Sequence, residues 1–135
     1  MRYMLDTNII IYAKNKRPES ILNRLKLYKP SDLCISSITM AELEFGINKS
    51  SKPDQNRLAL MLFLSGIEIV PFDSSAAREY GIIRHRLQSQ GTPIGGNDML
   101  IAAHARSLDI PLVTNNTREF ERVEGLKLES WTEKE

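Results

Sequence analysis

Four short apolar runs, RYMLD, DLCIS, IEIVPF and IPLVT, are separated by longer stretches of helical periodicity, and no tight hairpin signal joins any two of them. Antiparallel strands can be linked by a tight turn, whereas parallel ones need a crossover of about a dozen residues or more, usually a helix. The alternation therefore predicts an α/β chain: a mostly parallel sheet covered by helices on both faces. The helical stretches are TNIIIYAKNK, PESILNRLKLYK with Pro18 in its first turn, TMAELEFGINKS, PDQNRLALMLFLSG, DSSAAREYGIIRHRLQSQG, IGGNDMLIAAHA and the short NTREFERV. Three isoleucines weaken the helical reading of the first. Asp73 or Ser74 caps the fifth, and Gly91 stops it. LKLES reads as a short last strand.

A length of 135 residues fits one domain, residues 1–135, with a sizeable core. Eighteen basic residues against seventeen acidic ones give a net charge of +1. A polyanion would have to be held by a local patch or through a bound cation, not by a strongly basic surface. Cys34 is the single cysteine and lies in an apolar run, which excludes a disulfide framework and points to a reducing, cytoplasmic setting. Asp6 interrupts the N-terminal apolar run, against a signal peptide. The longest apolar stretch, LALMLFLSGIEIV, is too short to span a bilayer, so no membrane association is expected. The helix containing it carries apolar residues on more than one face. Part of that surface reads either as an interface or as extra core.

One carboxylate sits where a core is expected. In IGGNDMLIAAHA, the i+3, i+4 and i+7 neighbours of Asp98 are Ile101, Ala102 and Ala105, so Asp98 lies on the apolar face. Asn97, His104 and Ser107 fall on another. In a parallel sheet all strands end at one edge, the returning helices begin there, and ligands bind there. Asp6 ends the first strand, Glu42 opens the helix after the second, Asp98 opens the helix before the fourth, and Asn116 and Glu119 follow that strand. Acids from the whole chain thus converge. Ionised carboxylates in one cleft raise each other's pKa or gather a cation. Oxygen ligands without a His or Cys cluster favour Mg²⁺ or Mn²⁺, which suits phosphodiester hydrolysis.

Each residue also has a plainer reading. Asp98 would favour the positive end of a helix dipole. Thr39 to Glu42, TMAE, fits a capping box. Asp6 could cap the following helix, with Thr7 or Asn8 sharing that work. Asn116 reads as a turn residue or cap, and Glu119 as a solvated first-turn acid. His104 has no partner at metal spacing and reads as structural. His85, flanked by Arg84 and Arg86, and the KNKR segment from Lys14 to Arg17 read as solvated faces, with RNA contact as the alternative. No Ser or Cys has the His arrangement that covalent catalysis requires.

MLDTNIIIY, SSITMAELEFG, GTPIGGNDMLIAAHA and LVTNNTREFERV, in this order across essentially the full chain, resemble the PIN-domain ribonucleases, and most closely the VapC-type toxins of bacterial toxin–antitoxin pairs. The resemblance implies a three-layer α/β/α sandwich around a five-stranded sheet and a Mg²⁺- or Mn²⁺-dependent endoribonuclease. It also implies inhibition by a VapB-type antitoxin, operator DNA bound through the antitoxin complex, and a homodimer or higher assembly. By position, Asp6, Glu42 and Asp98 match the family's acidic triad. Asp6 and Asp98 would ligate the metal, Glu42 would hold the ion or orient its water, and Thr7 and Thr114 would support the site. Asn116 stands where the family often has a fourth acid, so either Glu119 supplies that charge or the position is weakened. The relatives it suggests make tRNA the leading substrate class. Two rivals remain: a phosphatase with Asp6 as nucleophile, which wants an acid where Asn8 stands, and a module that binds its partner or RNA without cutting.

Overall fold

The structure, a computed structural model, describes residues 2–15 and 19–131. Five strands, β1 (Tyr3–Leu5), β2 (Leu33–Ser36), β3 (Glu68–Val70), β4 (Leu112–Val113) and β5 (Leu128–Glu129), form one sheet in the order β3-β2-β1-β4-β5. Every pairing is parallel. Helices α1 (Thr7–Lys14), α2 (Glu19–Leu25), α3 (Ser37–Asn48) and α4 (Pro53–Phe63) occupy the chain between β1 and β3. Helices α5 (Ser74–Ser89) and α6 (Gly96–Leu108) separate β3 from β4, and α7 (Thr117–Phe120) precedes β5. Pro18, Lys16 and Arg17 lie outside the described residues.

Successive strand side chains point to opposite faces, and the core follows that rule. Leu5, Leu33, Ile35 and Val113 join Ile9, Ile10, Leu43 and Leu60 of the α1–α4 layer. Met4, Cys34 and Leu112 join Ile83, Leu87, Ile101 and Phe120 of the α5–α7 layer. The chain moves outward from β1 through β2 to β3, then crosses to the other side of β1. This reversal puts the two helix sets on opposite faces and opens a switch point between β1 and β4, the usual place for a ligand in such a sheet.

Two expectations need correction. The reading of TMAE as a capping box fails, because α3 starts earlier, at Ser37, with the Ser36 hydroxyl accepting from the Ile38 N–H at 3.0 Å. His104 does not lie on a polar face. Helix α6 is packed between the sheet and α5, its alanines allow close approach, and His104 is as buried as Ala102 and Ala103.

The apolar excess of α4 divides into both of its readings. Leu60 and Leu64 are core, while Leu58, Met61 and Leu62 face outward, Leu62 with 69% of its surface exposed. Leu60→Ala should therefore destabilise the chain by about 2–5 kcal/mol, whereas Leu62→Ala should change stability by about 0.5 kcal/mol or less. Urea unfolding of the two variants, compared with the parent chain, checks this.

Candidate active site

Asp6 is the residue immediately after β1, in extended backbone, and it caps α1. Its Oδ1 accepts from the Thr7 N–H at 2.8 Å, and its Oδ2 accepts from the Thr114 hydroxyl at 2.8 Å. The second bond spans the switch point, since Thr114 follows β4. Asp6 is therefore both a cap and a site residue. It is only 3% exposed. Burial pushes its carboxyl above the usual range; the bonds from Thr114 and Thr7 oppose that, and the charges of Glu42 and Glu119 add to it.

Glu42 faces the same edge from α3. The Thr7 hydroxyl donates to its Oε1, and the Asn97 amide donates to its Oε2 at 3.0 Å. Buried Thr39, one turn before, lies with its hydroxyl 3.4 Å from that of Thr7. Glu42 is thus joined to α1 and to α6, and not to the start of its own helix. The sequence places Asn97 on a polar helix face and gives no sign of its contact with Glu42, which is 55 residues away. The available signal was its place in the first turn of α6, at the edge where the acids gather.

Asp98 is half-buried and shares a hydrogen bond with Glu119 of α7. Its carboxyl is pushed up to about 8, first by burial, then by the bond to Glu119 and by the charges of Asp6, Glu119 and Glu42. Glu119 moves downward, chiefly because Asp98 donates to it. The pair behaves as one carboxylic acid beside one carboxylate, titrating jointly. The Gly95 N–H points at Glu119 Oε1 at 3.4 Å. A Cβ on Gly95 would stand 3.3 Å from Asp98 Oδ2 and 3.8 Å from Glu119 Oε1, so a side chain there would press on the pair. Asn116 occupies the cap position of α7; its N–H donates to the Thr114 hydroxyl at 3.0 Å, and its side chain bonds Glu119.

Four of the predicted residues, Asp6, Glu42, Asp98 and Glu119, are therefore close enough to act on one another electrostatically. Other candidates lie elsewhere. His85 is exposed on α5, where Arg84 contacts Tyr80 and Arg86 pairs with Glu124, in keeping with a solvated face. His104 Nδ1 lies 2.8 Å from the hydroxyl of Ser36, and burial holds its pKa below the usual value despite the charge of Asp73. Cys34 is buried with its thiol pushed up to about 11, so it supplies no thiolate nucleophile near neutral pH.

The donor set suits a hard cation. Its side chains offer carboxylate and hydroxyl oxygens, and burial with the neighbouring acids raises the Asp98 carboxyl, as expected where uncompensated charge is costly. Among the described residues, no three His, Cys, Asp or Glu side chains form a ready metal shell. Magnesium does not require one, because it keeps several waters and binds through one or two carboxylates together with substrate phosphate. Asp6 and Asp98 fit that demand.

An α/β/α sandwich with acids gathered at the switch point of a parallel sheet defines a class of hydrolase-like carboxylate sites. The PIN domain description matches residues 3–126, and the chain belongs to the PIN-domain family. It is 48% identical over 132 residues to Ribonuclease VapC2 of Rickettsia felis, covering 97% of this chain and 98% of that protein. It is 45% identical over 132 residues to the tRNA(fMet)-specific endonuclease VapC of Shigella flexneri, covering 98% and 99%. A crystal structure of VapBC2 from Rickettsia felis bound to a DNA fragment from its promoter contains a chain that superposes with a TM-score of 0.91 at 46% identity, over 98% of this chain and 100% of that one. These likenesses agree with the fold class expected from the strand–helix alternation, now with every strand pairing parallel.

The raised pKa of Asp98 links the site to stability. The neutral form is favoured by folding, so the contribution is full below the ordinary value of 3.8 and is lost as pH rises through about 8. The downward shift of Glu119 acts only near and below its ordinary value of 4.5. Without divalent cations, the parent chain should melt at a lower temperature at pH 9 than at pH 6, and Asp98→Asn should remove most of that difference. With solvent screening of the half-exposed carboxyl discounted, the effect is on the order of 1 kcal/mol, or several degrees. Thermal melts of both proteins in chelator at the two pH values check it.

Proposed function

We propose that the chain is a Mg²⁺- or Mn²⁺-dependent endoribonuclease, the toxin of a toxin–antitoxin pair, with tRNA as the leading substrate class. The observation that carries this reading is the gathering of Asp6, Glu42, Asp98 and Glu119 at the switch point, where burial, and after it the neighbouring acids, raises the Asp98 carboxyl. Two relatives named as a ribonuclease and a tRNA(fMet)-specific endonuclease, each matched over nearly its full length, support it. Neutralisation by a VapB-type antitoxin is supported by likeness to the toxin chains of VapBC complexes from Rickettsia felis and Salmonella typhimurium, both solved with DNA. By the same likeness, operator DNA would be contacted by the toxin–antitoxin complex; a homodimer or higher assembly of the toxin is proposed from the family resemblance alone. No helix among the described residues is long and apolar enough to cross a membrane, and the free, buried Cys34 suits the reducing cytoplasm.

When bound, the cation would polarise the phosphodiester and lower the pKa of an attacking water. The chain's own groups have separable parts. Thr7 and Thr114 fix the two oxygens of Asp6, which with Asp98 would hold the ion. Asp98 must release its proton to do so, which leaves Glu119 as a second negative group beside it. Glu42, held by Thr7 and Asn97, would hold the ion or orient its water. A module that only binds RNA or antitoxin is less well supported, because Glu119 supplies the carboxylate that Asn116 lacks.

Asp6→Asn and Asp98→Asn should each lower RNA cleavage by about 10²-fold or more, since several kcal/mol of charge stabilisation are lost. Chelator should abolish cleavage by the parent, Mg²⁺ or Mn²⁺ should restore it, and co-purified antitoxin should suppress it. Gel assays on a total tRNA pool read all three. Undiminished cutting by the two variants would end the mechanism in which Asp6 and Asp98 hold the cation.

A further inference from the structure

Resting on the nuclease reading, we infer that Asn97 is a positioning residue of the reaction, fixing the orientation of the Glu42 carboxylate. Glu42 ends a flexible side chain, and a free carboxylate at the mouth of a cleft would populate several rotamers at an entropic cost to any one of them. Here both oxygens are taken by donors from different helices: Oε1 by the Thr7 hydroxyl of α1, Oε2 by the Asn97 amide of α6. The Asn97 bond joins residues 55 apart in sequence and ties the helix bearing Glu42 to the helix bearing Asp98. It therefore sets the relation between two of the acids that the proposed mechanism uses.

The residue type fits this task. A lysine or arginine in the same place would also grip the carboxylate, but its positive charge would cancel the negative potential of the cleft and compete with a cation. An aspartate would add a fifth repelling charge. An amide donates while adding no net charge. Asn97 also lines a cleft of about 610 Å³ between α1, α3 and α6, together with Thr7, Ile11, Ile38, Glu42 and Phe45. The remaining amide groups of Asn97 thus stand beside the path of an incoming substrate, which makes direct substrate contact the rival role. Because Asn97 is exposed, its loss has little effect on the core.

The test uses the full chain with Asn97→Ala and Asn97→Leu, each with and without Glu42→Ala, on an RNA that the parent cleaves. The expected result is a kcat lowered about 10- to 100-fold, as for removal of a partner that orients an active group. KM should stay within about twofold and the melting temperature within about 2 °C, as for a surface substitution. In the Glu42→Ala background, removing Asn97 should cost nothing further, because its action runs through Glu42. An independent readout is the NMR signal pair of the Asn97 side-chain amide, which should move on Glu42→Ala in the metal-free protein. Unchanged kcat, a KM effect alone, an equal loss in the Glu42→Ala background, or an unmoved amide signal would each overturn the inference. A parent chain that cleaves no RNA would instead sink the functional reading, while the amide signal would still decide whether Asn97 grips Glu42.

Discussion

A single buried carboxylate organises the upper edge of the sheet. Asp6 leaves β1, the central strand, with almost no exposure to water. Such a group is tolerable only where hydrogen bonds replace its hydration. The replacements come from opposite directions along the chain, the Thr7 N–H from the next residue and the Thr114 hydroxyl from the far side of the switch point. Because α1 starts at Thr7, the same carboxylate also caps that helix. Cap, sheet edge and site are therefore one construction. Moving Asp6 would disturb the start of α1 and the β1–β4 junction together.

The other acids are held with less compensation. Glu42 has two neutral donors, and Asp98 has mainly its own proton, shared with Glu119. The cleft is thus graded, from a fully engaged carboxylate at the end of β1 to one on α6 that resists ionisation. That gradient is what a site awaiting positive charge looks like. On the proposed reading, a cation bound beside Asp98 would take the place of its proton, so that metal binding and proton release would be coupled at this group.

Much of this was legible in the sequence because it follows from periodicity and chain direction. Short apolar runs between helices imply parallel strands, parallel strands imply a common edge, and the acids lie at element ends that must reach it. Asp6, Glu42 and Asp98 were placed by that reasoning, and the resemblance of the surrounding motifs agreed. The start of α3 was harder to see. Ser36, Ser37 and Thr39 are all plausible caps, and only the packing of Thr39 into the core and the reach of Thr7 to Glu42 decide among them. His104 falls on a polar face only if a helix has one buried face, whereas α6 is covered on more than one side. The contact of Asn97 with Glu42 needs two helices to be brought together at a given angle, which no local pattern encodes.

On the proposed reading, Glu119 would supply the charge that Asn116 does not carry. Its N–H is committed to Thr114, the same hydroxyl that holds Asp6, and its side chain bonds Glu119. An aspartate at 116 would place a second charge against the Asp98–Glu119 pair and would repel Glu119, the group that Asn116 now supports. Asparagine keeps the turn and donates to Glu119. The carboxylate one helical turn later then reaches Asp98. The proposed function thus takes Glu119 as the acid of α7 and Asn116 as its donor, where the family resemblance implies an acid at 116.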